Sequence, residues 1–289
     1  MDVTHGRQSA AAGCALAGAA RAGRVVTHQV SVDQEQQVVV KRYLDSHHGE
    51  PAREWRALQL LAEHAPRLAP EPISADLAAD PPFIVMSLLP GEPLGSGSLT
   101  PPQERALAIA LGQLWQAVPV RLVTPLEGEL ARSHEFVRLV RDWAATPADP
   151  GPDPVVREAL VSGTTWLVQA DFAPTAPGSG ATPQVLGQGD GNLSNFIWDG
   201  ELVRIVDFED SGVSDRALEL ADLVEHVSTW RDGGLDAERF TAEFDLAPAE
   251  HGRLADWRRL AALSWLLYFH QRGDLDSLRP QAERMLSLL

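Results

Sequence analysis

The chain has a single cysteine, Cys14. That excludes an internal disulfide framework and a cysteine-rich metal site. No run approaches the roughly 18 uncharged apolar residues of a spanning helix. The Ala/Gly-rich N-terminal stretch lacks a continuous Leu/Val core and does not read as a signal peptide. The expectation is a soluble, cytoplasmic protein with no membrane partner. Nine histidines occur without H-x-x-x-H or H-E-x-x-H spacing, which argues against zinc. Positive charge is also scarce: 24 basic residues stand against 40 acidic ones, a net charge of −16. Residues 101–289 carry 29 acids and 16 bases, so most of the excess lies there. Such a field repels a phosphate backbone, and nucleic acid is not expected as a partner. It attracts a cationic small molecule, although solubility alone is the plainer explanation.

Lysine is the scarcest charge. Of the 24 basic residues 23 are arginine, and the one lysine is Lys41. Lysine is a compact point charge with three rotatable donors, whereas arginine is a planar fork. A sequence that otherwise uses arginine marks Lys41 as a place where the fork does not serve. Drift is the competing explanation.

What is present is ordinary globular material, 44% hydrophobic and 22% charged. A chain of 289 residues suits two lobes around a cleft. Residues 25–32 and 36–43 form β-branched runs separated by a turn, a hairpin signal with Lys41 on the second strand. Residues 51–65 show helical periodicity through Trp55, Leu58, Leu61 and Ala62, with proline at the start. A Pro-rich connector follows, then a buried strand over 83–89 ended by Pro90-Gly91. From Thr100 the pattern turns helical, over 106–118, 133–145 and 153–170. Residues 173–184 read as a turn-rich loop, and the region from about 215 onward as helical.

The segment 185–210 carries the chemistry. Asp199-Gly200 between the runs FIW and LVRIV is a hairpin turn. The hairpin brings Asn195, near the start of one arm, close to Asp207, at the end of the other. Asp190 lies in the loop that feeds it. Two carboxylates and an amide oxygen are expected to converge without crowding by other charges. Hard oxygen ligands of this kind suit Mg²⁺, and the third group stays free to orient a hydroxyl.

These residues resemble the aminoglycoside phosphotransferase/choline kinase-like family. QGDGNLSN, residues 188–195, resembles its catalytic loop HGDxxxxN. IVDFED, residues 205–210, resembles its metal-binding Asp element, and SDRALELADL, from Ser214, the helix that follows. Lys41 and Glu54 resemble the strand Lys and helix Glu of the kinase small lobe. FIVMSLLPGEPL, residues 83–94, resembles the interlobe linker. The resemblance spans roughly residues 18 to 230 in order and spacing. It implies an α+β, protein-kinase-like bilobal fold, with a small nucleotide-binding lobe over 1–89 and a large helical lobe over 90–289. It implies ATP and Mg²⁺ as cofactors, with Lys41 on the α/β-phosphates and held by Glu54. Asp190 would take or orient the hydroxyl proton, and Asn195 and Asp207 would hold the metal. The backbone of Met86, Ser87, Leu88 and Leu89 would bond the adenine edge.

Three departures stand out. Gln188 replaces the usual His, yet an amide also donates and accepts. The stretch 16–24 offers only Gly18 and Gly23 as a phosphate loop. Eight positions from Asp207 to the helix start near Asp215 leave no room for a peptide platform, which favours a small-molecule acceptor. A nucleotide-binding pseudokinase or regulatory module is the alternative that Gln188 and the thin glycine loop support. Smaller expectations remain open. Glu209 and Asp210 either support the site or face solvent. Glu219 and Asp222 either bond the metal loop or favour a helix N-terminus. Asp215 reads as a helix cap. Trp230, Trp257, Trp265 and Tyr268 read as core rather than acceptor pocket. His47-His48 reads as a loop pair, and the assembly as monomer or homodimer.

Overall fold

The computed structural model describes residues 28–46, 49–95, 97–123, 132–146, 149, 151–172, 184–231 and 234–289. The glycine stretch 16–24, His47-His48 and nearly all of the 173–184 loop lie outside the described residues.

Strand β1 (His28–Asp33) and strand β2 (Val38–Tyr43) form the expected antiparallel hairpin, with Val30 opposite Lys41. Asp33 Oδ1 closes the turn by accepting from the Glu35 and Gln36 N–H groups, each at 3.0 Å. Helix α1 (Glu50–His64) starts with Pro51 in its first turn, where a missing N–H costs nothing. It buries Ala57, Leu58 and Leu61. Trp55 is only half-buried and Ala62 is exposed, so the apolar stripe lies one position from the expected one. The Pro-rich connector contains a strand the periodicity did not show, β3 (Pro72–Asp76). It has no alternating apolar run because it is an edge strand, which also tolerates Pro72. Strand β4 (Phe83–Ser87) lies between β2 and β3, and the four strands run β1-β2-β4-β3, all antiparallel.

The chain has left this sheet by strand β5 (Glu92–Pro93), which joins a second sheet further on. Helix α2 (Pro101–Ala117) begins at Thr100, whose N–H bonds Gln103 Oε1 at 2.9 Å. Helices α3 (Arg132–Ala144) and α4 (Pro154–Gln169) follow. Strands β6 (Gln184–Gly187), β7 (Phe196–Trp198), β8 (Val203–Ile205) and β9 (Gly212–Asp215) come next. β5-β7-β8 form a three-stranded sheet and β6-β9 a ribbon. The remaining helices are α5 (Arg216–Glu225), α6 (Val227–Trp230), α7 (Ala237–Thr241), α8 (Pro248–Arg272) and α9 (Leu275–Leu288). Asp215 caps α5 by accepting the Leu218 N–H at 3.0 Å.

Helix α8 is the axle of the large helical part. It is apolar on most of its faces, as an interior helix must be, and packs against α4, α5 and α9. Trp257 and Trp265 are buried in it, whereas Trp230 and Tyr268 are half-buried. Where a charge enters this core it is matched. Glu225, fully buried, accepts from Arg258 Nε at 2.7 Å and from Arg284 Nε and Nη2 at 2.7 and 2.8 Å. Leu266 on α8 is fully buried. Leu266→Ala is expected to lower stability by about 2–5 kcal/mol, read as a lower urea midpoint at unchanged slope; an unchanged midpoint would mean that α8 does not organise the core.

Candidate active site

The site begins with a hairpin. Strands β7 and β8 pair Phe196 with Ile205 around the turn 199–202. Asp199 Oδ1 accepts the N–H groups of Glu201 and Leu202, and Gly200 takes φ 104°. One pair beyond the strands, the Val206 N–H bonds the Asn195 carbonyl at 2.9 Å. Asn195 and Asp207 thus sit at the open end of the hairpin, as the spacing predicts.

The loop that feeds this hairpin is squeezed between two carbonyls. A Cβ on Gly189, at φ 95°, would lie 2.2 Å from the Asp210 carbonyl oxygen. One on Gly191 would lie 2.4 Å from that of Asp222. Only glycine fits at both places, which is why Asp190 is flanked by them. Asp190 is 3% exposed. Its Oδ1 accepts the Asn192 N–H at 3.1 Å and its Oδ2 accepts Asn195 Nδ2 at 3.0 Å. Burial first, then the charges of Asp207, Asp222 and Asp210, raise its pKa well above the ordinary carboxylate value. The expectation of an uncrowded site is therefore corrected: four aspartates share it. A carboxyl held this way favours its proton, which suits a group that must take one.

Gln188 is the joint of the site. Its Oε1 accepts the Asp190 N–H at 2.7 Å, and its Nε2 donates to the carbonyls of Val206 at 3.2 Å and Asp207 at 2.7 Å. Asp207 has a left-handed backbone at φ 65°, uncommon outside glycine and tolerated by Asp. The Gln188 amide thus fixes the residue in that conformation while holding Asp190.

Lys41 completes the centre. It is buried, and its Nζ lies 2.7 Å from Glu54 Oε2, 2.5 Å from Asp207 Oδ1 and 2.9 Å from Glu209 Oε2. Burial alone would lower its pKa, but the three carboxylates outweigh burial and raise it. Glu54 also accepts from the Tyr43 hydroxyl at 2.5 Å, and Glu209 lies 3.2 Å from His28 Nδ1. This is no surface pair. Glu209 and Asp210 are both buried, which settles their open placement towards the site.

A shell of polar contacts holds the loop from behind. Glu219 accepts the N–H groups of Gln188 and Gly189 at 2.9 and 3.3 Å and the Ser214 hydroxyl at 2.6 Å. Arg132, absent from the sequence reading, donates to the Asp210 carbonyl at 3.0 Å and to Asp222 Oδ2 at 3.2 Å. Burial, with Glu219 adding to it and Arg132 opposing, pushes Asp222 up to about 6. His226 was also missed. It is buried with Nε2 at 3.9 Å from Asp190 Oδ1, and burial pushes its pKa down to about 3. Neither residue stands in a local motif, so only the folded chain reveals them.

Of the four residues expected at the adenine edge, two have their N–H groups committed. Ser87 N–H bonds the Glu71 carbonyl at 2.9 Å and Leu88 N–H bonds the Gln37 carbonyl at 2.8 Å. Met86 is paired with Val39 in the sheet, and Leu89 follows beyond the strand.

The residues present fit a divalent cation. Asp207 offers Oδ2 while its Oδ1 meets Lys41, and Asn195 offers Oδ1 while its Nδ2 meets Asp190. Both are hard oxygen donors of the kind Mg²⁺ takes. Around Lys41 three carboxylates face one ammonium, so added positive charge is favoured.

The profile of the phosphotransferase enzyme family matches residues 23–263. The chain belongs to that family. No curated protein sequence matches this phosphotransferase. Among solved structures it is similar to the GDP complex of aminoglycoside 2'-phosphotransferase-IIIa, at 16% identity and TM-score 0.61, covering 92% of this chain and 90% of that one. It is similar to choline kinase LicA from Streptococcus pneumoniae, at 18% identity and TM-score 0.57, covering 93% and 91%. A thermostable mutant of aminoglycoside phosphotransferase APH(4)-Ia, in ternary complex with ADP and hygromycin B, matches at 14% identity and TM-score 0.57, covering 91% and 93%. These likenesses show the protein-kinase-like fold. Among the described residues of the phosphotransferase, no helix is long and apolar enough to cross a membrane.

Glu219→Gln tests the support behind the loop. The amide keeps one oxygen for the two backbone N–H groups and turns an N–H towards the Ser214 hydroxyl and the Arg132 guanidinium, where an oxygen stood. The expected loss is about 1–3 kcal/mol of stability, with a fall in any phosphotransfer rate; a variant of wild-type stability would show that these three bonds do not hold the loop.

Proposed function

We propose that this phosphotransferase moves the γ-phosphate of ATP, with Mg²⁺, to a hydroxyl of a small and cationic acceptor such as an aminoglycoside-like antibiotic or an amino alcohol. The observation that carries the reading is the unbroken chain Lys41, Asp207, Gln188, Asp190, Asn195, linked by contacts of 2.5–3.0 Å. In this reading residues 1–89 hold the nucleotide and residues 90–289 the acceptor. Lys41, steadied by Glu54 and Tyr43, would grip phosphate oxygens. Asn195 and Asp207 would hold the metal, which neutralises charge on the phosphates. The acceptor hydroxyl attacks phosphorus, ADP leaves, and Asp190 takes the hydroxyl proton. Leu89 and the carbonyls beside it would meet the adenine edge, since the N–H groups of Ser87 and Leu88 are committed. The acidic surroundings of Asp190 favour an acceptor that carries positive charge elsewhere. The regulatory-module alternative drew on Gln188 and the thin glycine loop. Gln188 both donates and accepts as the loop requires, which speaks for the enzyme, while the glycine stretch lies outside the described residues.

Asp190→Asn is expected to lower kcat by a factor on the order of 10²–10⁴ while nucleotide affinity by calorimetry stays within a few-fold. Turnover equal to wild type would reject Asp190 as the proton acceptor. Lys41→Arg should lose most activity although charge is kept, because the planar fork does not fit between Glu54, Asp207 and Glu209. Near-normal steady-state turnover in that variant would remove Lys41 from the phosphate site.

A further inference from the structure

A groove of about 620 Å³ lies outside the site, with none of the site's residues on its walls. One wall is the connector at 66–68 between α1 and β3. A second is the outer face of α2, and the third is the turn end of the β7–β8 hairpin. The floor is apolar: Leu68, Ala106, Ala110 and Val203 are buried there. The rim holds Ile109, 51% exposed, and Leu202, 44% exposed. Ile109 stands on α2 in line with Arg105 and Gln113, four positions away on either side. That is the solvent face of the helix, where a polar side chain is the usual choice.

The charge of the groove is opposite to that of the chain. Overall 40 acids stand against 24 bases, yet the groove is lined by Arg67, Arg105 and Arg204 and by one acid, Glu201. Arg204 is matched by Asp199 at 2.5 Å. Arg67 and Arg105 make no ion pair among the described residues. On α2 the positions three and four from Arg105 are Pro101, Pro102, Ala108 and Ile109, and none of them answers its charge. Arg67 has a left-handed backbone at φ 78°, which a residue with a Cβ keeps only where its surroundings fix it. Two bonds do so. The Leu68 N–H donates to the Ala65 carbonyl at 3.1 Å, and the Leu68 carbonyl accepts the Ile205 N–H at 2.8 Å. The connector is thereby fastened to β8, with Arg67 at the groove.

We infer that this groove docks a short acidic segment of a partner protein, its apolar side chains between Ile109 and Leu202 and its carboxylates on Arg67 and Arg105. Carboxylates are what these two arginines lack, and the guanidinium fork takes them in paired bonds. The rim is exposed, so a small molecule would leave much of its surface in water, whereas a chain segment covers all three walls. The hairpin separates the groove from the site. Asn195 and Asp207 stand at its open end, three strand residues or about 10 Å from the turn. A docked segment leaves that end uncovered, so the groove tethers the enzyme to a partner and stands apart from the transfer reaction.

The test is a selection of phage-displayed random dodecapeptides on the immobilised full chain. The enriched peptides should carry several Asp or Glu residues and at least two large apolar ones. A fluorescein-labelled copy of the most enriched peptide should bind in solution by anisotropy, and more weakly as NaCl rises. Arg105→Glu should weaken that binding on the order of 10-fold or more. Arg67→Asn should weaken it as well. Asparagine tolerates the left-handed backbone, so this variant removes the charge without a cost in folding. Ile109→Asp should weaken it through the apolar rim. Arg138→Glu, on an exposed position of α3, is the control and should leave it unchanged. Basic or uncharged enriched peptides, no enrichment, or binding untouched by Arg105→Glu and Arg67→Asn overturns the inference. A wild-type dimer that Arg105→Glu dissociates in analytical ultracentrifugation also overturns it, because the occupant is then a second copy of this chain.

Discussion

A left-handed aspartate cannot hold itself in place, and the site depends on how Asp207 is held. At φ 65° its backbone sits in a sparsely populated region, and the carbonyl is fixed there by the Gln188 amide. That conformation presents the side chain to Lys41 at 2.5 Å. The same amide accepts the Asp190 N–H. Gln188 is in turn pinned by Glu219, which accepts its backbone N–H. One strained residue, one amide and one buried carboxylate therefore set where Asp190 lies relative to the lysine. Gly189 and Gly191 are part of the same constraint. Their missing Cβ atoms let the loop lie against the carbonyls of Asp210 and Asp222.

Much of this was legible in the chain because its signals are local. The hairpin of β7 and β8 announces itself through Asp199-Gly200 between two apolar runs, and it fixes Asn195 and Asp207 with no further information. Lys41 stood out by rarity, and Glu54 by its place on an amphipathic helix. Asp215 is the helix cap it reads as. Strand β3 was illegible because it is a short edge strand opened by Pro72 that shows no alternation, and its one β-branched residue, Ile73, faces solvent. The crowding at Asp190 was illegible for another reason. Asp210 and Asp222 reach it from β9's leading turn and from α5, and spacing along the chain says nothing of a through-space charge. Arg132 arrives from a helix some 60 residues upstream, and no periodicity connects it with the acids it meets.

The charge balance explains why these parts need one another. Among the described residues the centre holds Glu54, Asp190, Asp207, Glu209, Asp210, Glu219 and Asp222 against Lys41, Arg53 and Arg132. A nucleotide's phosphates are themselves negative and would be repelled by such a cluster. A divalent cation held by the oxygen donors of Asn195 and Asp207 would reverse that sign locally. The remaining acidity lies around Asp190, and in the proposed reading it acts on the acceptor's charge. Long-range attraction concentrates a cation but does not orient it.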